Sequence, residues 1–418
     1  MQAGFTRNYY YLKFFILYIL SPWRITMRLR RIRLSKFLFT LFFLITITPS
    51  SYALDTVTIG LDLPLSGSLS DLGLESLAGA ELLESQINNK GGILVGGKRY
   101  PVKFITIDNT STVEQSVSGA LKLISRDKVL GVVGPNASSN AIPVGGICAS
   151  FKTPMITPTS TNPATTKNRP FVFRSCFLDD FQGEAMAKFA IKEFGAKKAA
   201  VLFDKNNAYP KGLAKFFKKA FEEEQGDGSV VSFAAYESNS SDLSPQLAQI
   251  VGSEAQVLFL PQYAHELPSI LKQIRDAGWD KPILGGDAWE SSELMKTCGD
   301  LCKGLFFSSH FSPYGAKGES LAFVKEYEKK TGKLPTAFAA LGYDATNLLL
   351  AAISKLDSLD GNLFTLRADI QKQLTTISGF EGVSGTVNMN TSGDPAKSAV
   401  IIRISDDGKF EAYGSVKP

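Results

Sequence analysis

Three short stretches of this chain place groups that could grip a small molecule without transforming it. Residues Gly134-Pro135-Asn136-Ala137-Ser138-Ser139 follow the apolar run Val129 to Val133 and stand just before a helical stretch. Backbone N–H groups at a helix start have no intrahelical partner and attract anions, and a serine hydroxyl adds a further donor. Capping of the helix is the alternative use of Ser138 and Ser139. Thr159, Ser160 and Thr161 lie between Pro158 and Pro163, where hydroxyls either meet a ligand or shape an ordinary turn. Asp287 follows a strand expected at Pro282 to Gly285, at the carboxyl end where open sheets place ligands. A lone acid in a Gly-rich turn is its alternative reading. Tyr209 and Tyr263 follow further strands, and a phenol ring offers an apolar wall with one polar tip.

These groups form no recognised catalytic set. The sequence has no Gly-x-Ser-x-Gly elbow, neither His265 nor His310 sits in a motif, and Asp287 has no carboxylate partner nearby in sequence. Gly91-Gly92 and Gly96-Gly97 read as a turn before a strand, and no Gly-rich phosphate loop is present. With no Cys-x-x-Cys and no paired histidines, neither a metal nor a cofactor is expected. Non-covalent binding is the expected chemistry, with no enzymatic turnover.

Eight of the 45 basic residues fall in the first 53 positions, which contain no Asp or Glu; the remainder holds 37 basic against 40 acidic side chains. The overall charge of +5 therefore becomes −3 without that segment, and gives no reason to expect nucleic acid as a partner. From Met27 the order is a basic stretch to Lys36, an apolar run from Phe37 to Thr48, and a small-residue end at Ala53. This reads as a signal peptide over residues 1–53, with Met27 a candidate true start. The run is shorter than the roughly 20 residues that span a bilayer. None of Cys148, Cys176, Cys298 and Cys302 stands just after the run, where a lipid anchor would need it. A soluble exported protein fits a Gram-negative periplasm. Export permits a disulfide between Cys298 and Cys302, although an intact helical turn would give poor geometry, and the pairing stays open. Cys148 and Cys176 are expected as buried thiols.

From Thr56 onward, short β-branched runs alternate with amphipathic stretches, as in parallel sheets flanked by helices. Strands are expected at 57–63, 102–108, 129–133, 155–157, 199–204, 230–235, 256–260, 282–285 and 304–308. Helices follow at about 319–330, 337–355 and 363–374, and two last strands at 399–404 and 410–413. The plan occurs twice, and a helical block followed by returning strands implies that the chain crosses between two lobes more than once.

Taken in order, the pieces Pro64 to Gly67, Gly79-Ala80, Asn88 to Gly92, Gly134 to Ser139, Thr157 to Pro163, Phe173-Arg174, Asp179 to Gly183, Tyr209 to Ala214, Gly285 to Asp287 and Gly342 to Ala345 resemble a family. It is the type I periplasmic binding proteins of leucine/isoleucine/valine uptake. The resemblance implies an α/β fold of two doubly wound parallel-sheet lobes joined by multiple crossover hinges. Lobe 1 would be 54–175 plus 310–393, and lobe 2 would be 176–309 plus 394–418. It also implies a monomer that closes on a small amino acid, branched-chain or otherwise neutral, and delivers it to an inner-membrane ABC permease. A binder of urea or short amides, or a sensor for a separate membrane partner, is the alternative. On this resemblance Ser138 contacts the ligand carboxylate with Ser139 beside it. Thr159, Ser160 and Thr161 supply further contacts, Asp287 meets the ammonium, and Tyr209 and Tyr263 close over the ligand. Pro210 and Leu72 depart from the family pattern, where a glycine and a tryptophan are usual. Trp289 is a further candidate wall, and Tyr343 and Asp344 read as structural.

Overall fold

The computed structural model describes residues 54–418; the expected signal peptide and Met27 lie outside the described residues. The first half runs β1 (Val57–Leu63), α1 (Ser70–Asn89), a hairpin of β2 (Ile93–Val95) and β3 (Lys98–Tyr100), β4 (Val102–Asp108), α2 (Val113–Leu121), β5 (Val132–Val133), α3 (Ser138–Ser150), β6 (Met155–Thr157) and β7 (Val172–Arg174). Five of these strands form a parallel sheet in the order β4-β1-β5-β6-β7. β1 is apolar nearly throughout because helices cover both its faces, as parallel sheets require.

The chain then crosses into a second layered unit. It runs α4 (Asp179–Phe194), β8 (Ala199–Asp204), α5 (Ala208–Gln225), β9 (Val230–Tyr236), α6 (Ser244–Val251), β10 (Val257–Phe259), α7 (Leu267–Asp276), β11 (Ile283–Gly285), α8 (Leu294–Cys298) and β12 (Phe306–Ser309). Ala199, Val201 and Phe203 of β8 pack into one apolar cluster and Ala200 and Leu202 into another, the alternation expected of a strand buried on both sides. A second crossing leads to α9 (Gly318–Thr331), α10 (Ala337–Ser354), α11 (Leu363–Thr375) and the hairpin β13 (Phe380–Gly382) and β14 (Gly385–Val387). α10 and α11 complete the core over β1. A third crossing returns β15 (Ala399–Ile404) and β16 (Phe410–Val416) to the second sheet, whose order is β16-β15-β12-β11-β10-β8-β9. The two-lobed α/β expectation holds, with one refinement: β15 and β16 run antiparallel to an otherwise parallel sheet.

Other differences have local causes. The strand expected from Val129 is regular only at Val132–Val133; upstream, Leu130 and Gly131 still bond to β1, while the Val129 carbonyl is taken by the Arg367 guanidinium at 2.6 and 3.0 Å. β7 and the two hairpins were not anticipated; each strand is only three residues long. Cys298 and Cys302 are bonded. The helix stops at Cys298, and Gly299 (φ 53°) turns the chain so that the two Cα atoms stand 5.7 Å apart, within disulfide reach. Cys148 and Cys176 are buried thiols.

Two glycines from the family-like pieces set how closely α1 and α10 approach. A Cβ on Gly79 would stand 2.0 Å from the Ala339 carbonyl oxygen, and one on Gly342 would stand 2.3 Å from that of Ser76. Alanine at 342 gains about 1 kcal/mol in helix propensity, but backbone cannot yield as a side chain tip can, and overpacking costs about 1–3 kcal/mol. Gly342→Ala is therefore expected to lower the urea midpoint of unfolding; an unchanged or raised midpoint would show that the helices separate freely.

Candidate functional site

Every expected site residue follows the carboxyl end of a parallel strand: Ser138 and Ser139 follow β5, the Thr159–Thr161 loop β6, Tyr209 β8, Tyr263 β10 and Asp287 β11. All but Ser139 are buried, because the two lobes meet over them. Leu69, Leu72, Ala137 and Phe338 of the first lobe share one contiguous apolar cluster with Tyr209, Tyr263 and Ala288 of the second. Ala137 and Ala288 are the immediate chain neighbours of Ser138 and Asp287, and Thr161 of the first lobe and Asp287 of the second both act on the carboxyl of Asp179.

On the first-lobe side, α3 begins at Ser138 with Ala137 in extended conformation, and no side chain caps it. The N–H groups of Asn140 and Ala141 bond back to the Ala137 carbonyl, so those of Ser138 and Ser139 precede the first helical bond. Capping is thus not what these serines do. The Ser160 hydroxyl bonds those of Ser138 (3.0 Å) and Thr165 (2.7 Å), and Thr159 donates to the Asn136 carbonyl at 3.1 Å. The Thr161 hydroxyl is buried without a hydrogen-bond partner among the described residues. Ser139 instead reaches across the seam. Its hydroxyl donates to Asn207 Oδ1 and accepts from the Ala208 N–H, both at 3.0 Å, so it fastens the start of α5.

On the second-lobe side, Asp287 is enclosed by donors. Its Oδ1 accepts from Gln182 Nε2 and the Tyr209 hydroxyl, each at 2.7 Å, and its Oδ2 lies 2.9 Å from His310 Nε2. The rings of Tyr209 and Tyr263 stand 5.3 Å apart, and burial followed by the Asp287 charge pushes both phenols well above their ordinary range. Burial holds His310 below the usual histidine range against the opposing pull of Asp287.

Sequence reasoning missed Asp179, Gln182 and His310 as members of the site. Asp179 opens α4, is fully buried, and neither carboxylate oxygen has a hydrogen-bond partner among the described residues. Burial raises it well above the carboxylate range; the Thr161 hydroxyl and Arg174 oppose that rise and Asp287 adds to it. The signal lay in the chain order. Asp179 and Gln182 stand three apart on one helix face after β7, whose existence went unrecognised, and His310 directly follows β12. Trp289 faces the other side of its sheet, packed with Phe307, and is core. Asp344 accepts the N–H groups of Val383 and Ser384 at 2.8 and 2.9 Å, and Tyr343 donates to Gln86, both structural.

A helix start with serine donors in the first lobe and two buried carboxylates in the second suit a ligand with opposite charges at its two ends. Residues 56–409 match the periplasmic binding protein family. The chain belongs to that family. Among relatives of this periplasmic binding protein, Leu/Ile/Val-binding protein homolog 3 of Brucella melitensis is 30% identical over 376 residues, 90% of this chain and 98% of the relative. The leucine-, isoleucine-, valine-, threonine- and alanine-binding protein of Pseudomonas aeruginosa is 27% identical over 82% of this chain and 88% of its own length. The fold is similar to that of the leucine-binding protein LivK from Thermotoga maritima. Their TM-score is 0.79 and their identity 33%, over 87% of this chain and 99% of that one. It is also similar to the branched-chain amino-acid transporter substrate-binding protein LivJ of Streptococcus pneumoniae in complex with isoleucine (TM-score 0.77, 29% identity, 87% and 100% covered). The binding protein is therefore of type I and of the branched-chain amino-acid branch, as its motifs indicate.

A cation arriving beside Asp179 lowers the raised pKa of that carboxyl, so binding of an amine-bearing ligand should release a proton and should strengthen as pH rises through the free protein's value. Calorimetry in two buffers of different ionisation enthalpy, repeated across a pH series, is expected to give different binding heats where the free carboxyl holds its proton, and Asp179→Asn to make them equal. Equal heats at every pH in the parent protein would mean that no proton leaves Asp179 when the ligand arrives.

Proposed function

We propose that this chain is the periplasmic substrate-binding component of an ABC importer and that its cleft takes a small neutral amino acid, branched-chain first, as a zwitterion. The observation that carries the reading is the opposition of charge preferences across one buried seam. The start of α3 with Ser138 and the Thr161 hydroxyl suits a carboxylate. Asp179 and Asp287 suit an ammonium, and Leu69, Leu72, Phe338 and the two tyrosines suit an aliphatic side chain. Leu72 lies near the place where the family pattern would use a tryptophan. Ser139 works as a fastener between lobes, and Ser160 supports Ser138 through its hydroxyl.

In this reading the lobes comprise 54–175 with 310–393 and 176–309 with 394–418, and the protein acts as an exported monomer. Opening at the three crossovers admits the ligand, and closure buries it for delivery to the permease. Nothing in this cycle requires covalent chemistry. Two buried carboxylates make neutral amides and urea poorer cargo than an amine, since each acid would then lack a cation.

The test is titration of ligand-stripped protein with leucine, isoleucine, valine, acetamide and urea. Saturable one-to-one binding of the amino acids and none of the amides is expected. A charge-assisted hydrogen bond contributes about 1.5–3 kcal/mol, so Asp287→Asn should weaken leucine binding by at least about tenfold. Ser138→Ala should weaken it while leaving the unliganded melting temperature in place. Binding of an amide in preference to every amino acid, or undiminished affinity in both variants, would defeat the proposal.

A further inference from the structure

A second cavity lies against two of the crossovers. It is an open groove of about 880 Å³ lined by residues from the 310–317 and 396–400 segments, the β13–β14 hairpin and β16. Among the side chains that line it the charge is one-sided, although Pro418, the last residue, also borders the groove. Lys317, Lys397 and His310 contribute to it together with eight hydroxyl side chains, yet no Asp or Glu does, in a chain with 40 acidic residues. Lys397 is the unusual member, because only 4% of it is exposed. Its ammonium donates to Ser384 Oγ at 2.5 Å and has no carboxylate within 4.0 Å among the described residues. Asp344, the acid that compensates it from farther away, is committed to the backbone and hydroxyl of Ser384 and to the Val383 N–H. An ammonium has three donors to satisfy, and a buried charge short of compensation is costly.

We propose that this groove binds a small oxyanion of the phosphate, sulfate or carboxylate class, seated on the Lys397 ammonium and enclosed by Lys317 and the groove hydroxyls. The occupant supplies the negative charge that Lys397 lacks, and burial, which pushes that lysine below its ordinary range, makes the compensation stronger than it would be in water. The hydroxyls of Ser312, Ser398 and Ser415, which donate to no group among the described residues, offer neutral donors of the kind that orient oxyanions. Because the groove touches two crossovers, its occupant bridges segments that must move together when the lobes open.

The test uses the whole protein at constant ionic strength, with sodium chloride replaced stepwise by sodium phosphate, sodium sulfate or sodium acetate in separate titrations. Melting temperature and calorimetric heat are the readouts. The expected result is a saturable, one-to-one response to at least one of the three, and the anion that saturates at the lowest concentration identifies the source. Lys397→Met should weaken that response at least about tenfold, as loss of a charge-assisted contact does. Since that change also cuts the link to Ser384, Lys317→Ala serves as the second variant. Lys317 is exposed and outside the link, so its unliganded melting temperature should hold while the response weakens severalfold. Ser138→Ala, which alters only the cleft, should retain the response in full. The proposal is overturned if none of the anions saturates, or if both lysine variants respond like the parent.

Discussion

The cleft depends on the guanidinium of Arg174. This residue ends β7 just before the first crossing, is fully buried, and meets Asp394, just before the third crossing, with Nε 2.6 Å from Oδ1. Its remaining nitrogens hold the carbonyls of Ser160 (2.5 Å) and Asn162 (3.1 Å) and the hydroxyl of Thr166 (2.8 Å). One side chain thus ties two crossovers to the loop that carries Thr159, Ser160 and Thr161. A planar fork with five fixed donors can do this, and the point charge of a lysine could not. A buried ion pair contributes little net stability once desolvation is counted. Its contribution here is geometric, since it fixes where the Thr161 hydroxyl stands relative to Asp179.

From that fixed frame the second lobe brings carboxylates into a seam that water leaves. Neither Asp179 oxygen has a hydrogen-bond partner among the described residues, and Asp287 is held by Gln182, Tyr209 and His310. Farther along the same seam burial pushes Glu75 up to about 7 and Glu290 up to about 8. Glu290 is held by the Ala337 N–H at 2.7 Å, and Asp71 by the Ser291 hydroxyl at 2.7 Å, both across the lobes. Closing such a surface costs desolvation of acids, and a cation between the lobes offsets that cost at Asp179 and Asp287. Closure and ligand binding are coupled because one ligand interacts differently with the two arrangements of the lobes.

Much of this was legible from residue patterns. The alternation of β-branched runs with amphipathic stretches gave the two α/β units, and strands such as Val57–Leu63 and Met155–Thr157 lie where the pattern put them. Short strands were harder. Val172–Arg174 is three residues with a charged end, and its arginine belongs to the hinge, which no periodicity reveals. Missing that strand hid Asp179 and Gln182, because the rule that ligand groups follow strand ends had no strand to apply to. The helix start at Ser138 was legible, but the division of labour between Ser138 and Ser139 was not. It depends on Asn207, 68 positions away, arriving from the other lobe. The disulfide was left open for a similar reason: a local break at Gly299 decided it, and helical spacing alone argued against it.

The most direct measurement removes one charge from the ligand and leaves the protein untouched. Calorimetric titration of the stripped protein with leucine, with 4-methylpentanoate, which lacks the amine, and with 3-methylbutylamine, which lacks the carboxylate, separates the two ends of the seam. Opposed charge recognition predicts that leucine binds and that each truncated compound is weaker by at least about tenfold, the loss expected for one charge-assisted contact in a closed site. If 4-methylpentanoate bound as tightly as leucine, Asp179 and Asp287 would have no cation to hold and the account would be wrong.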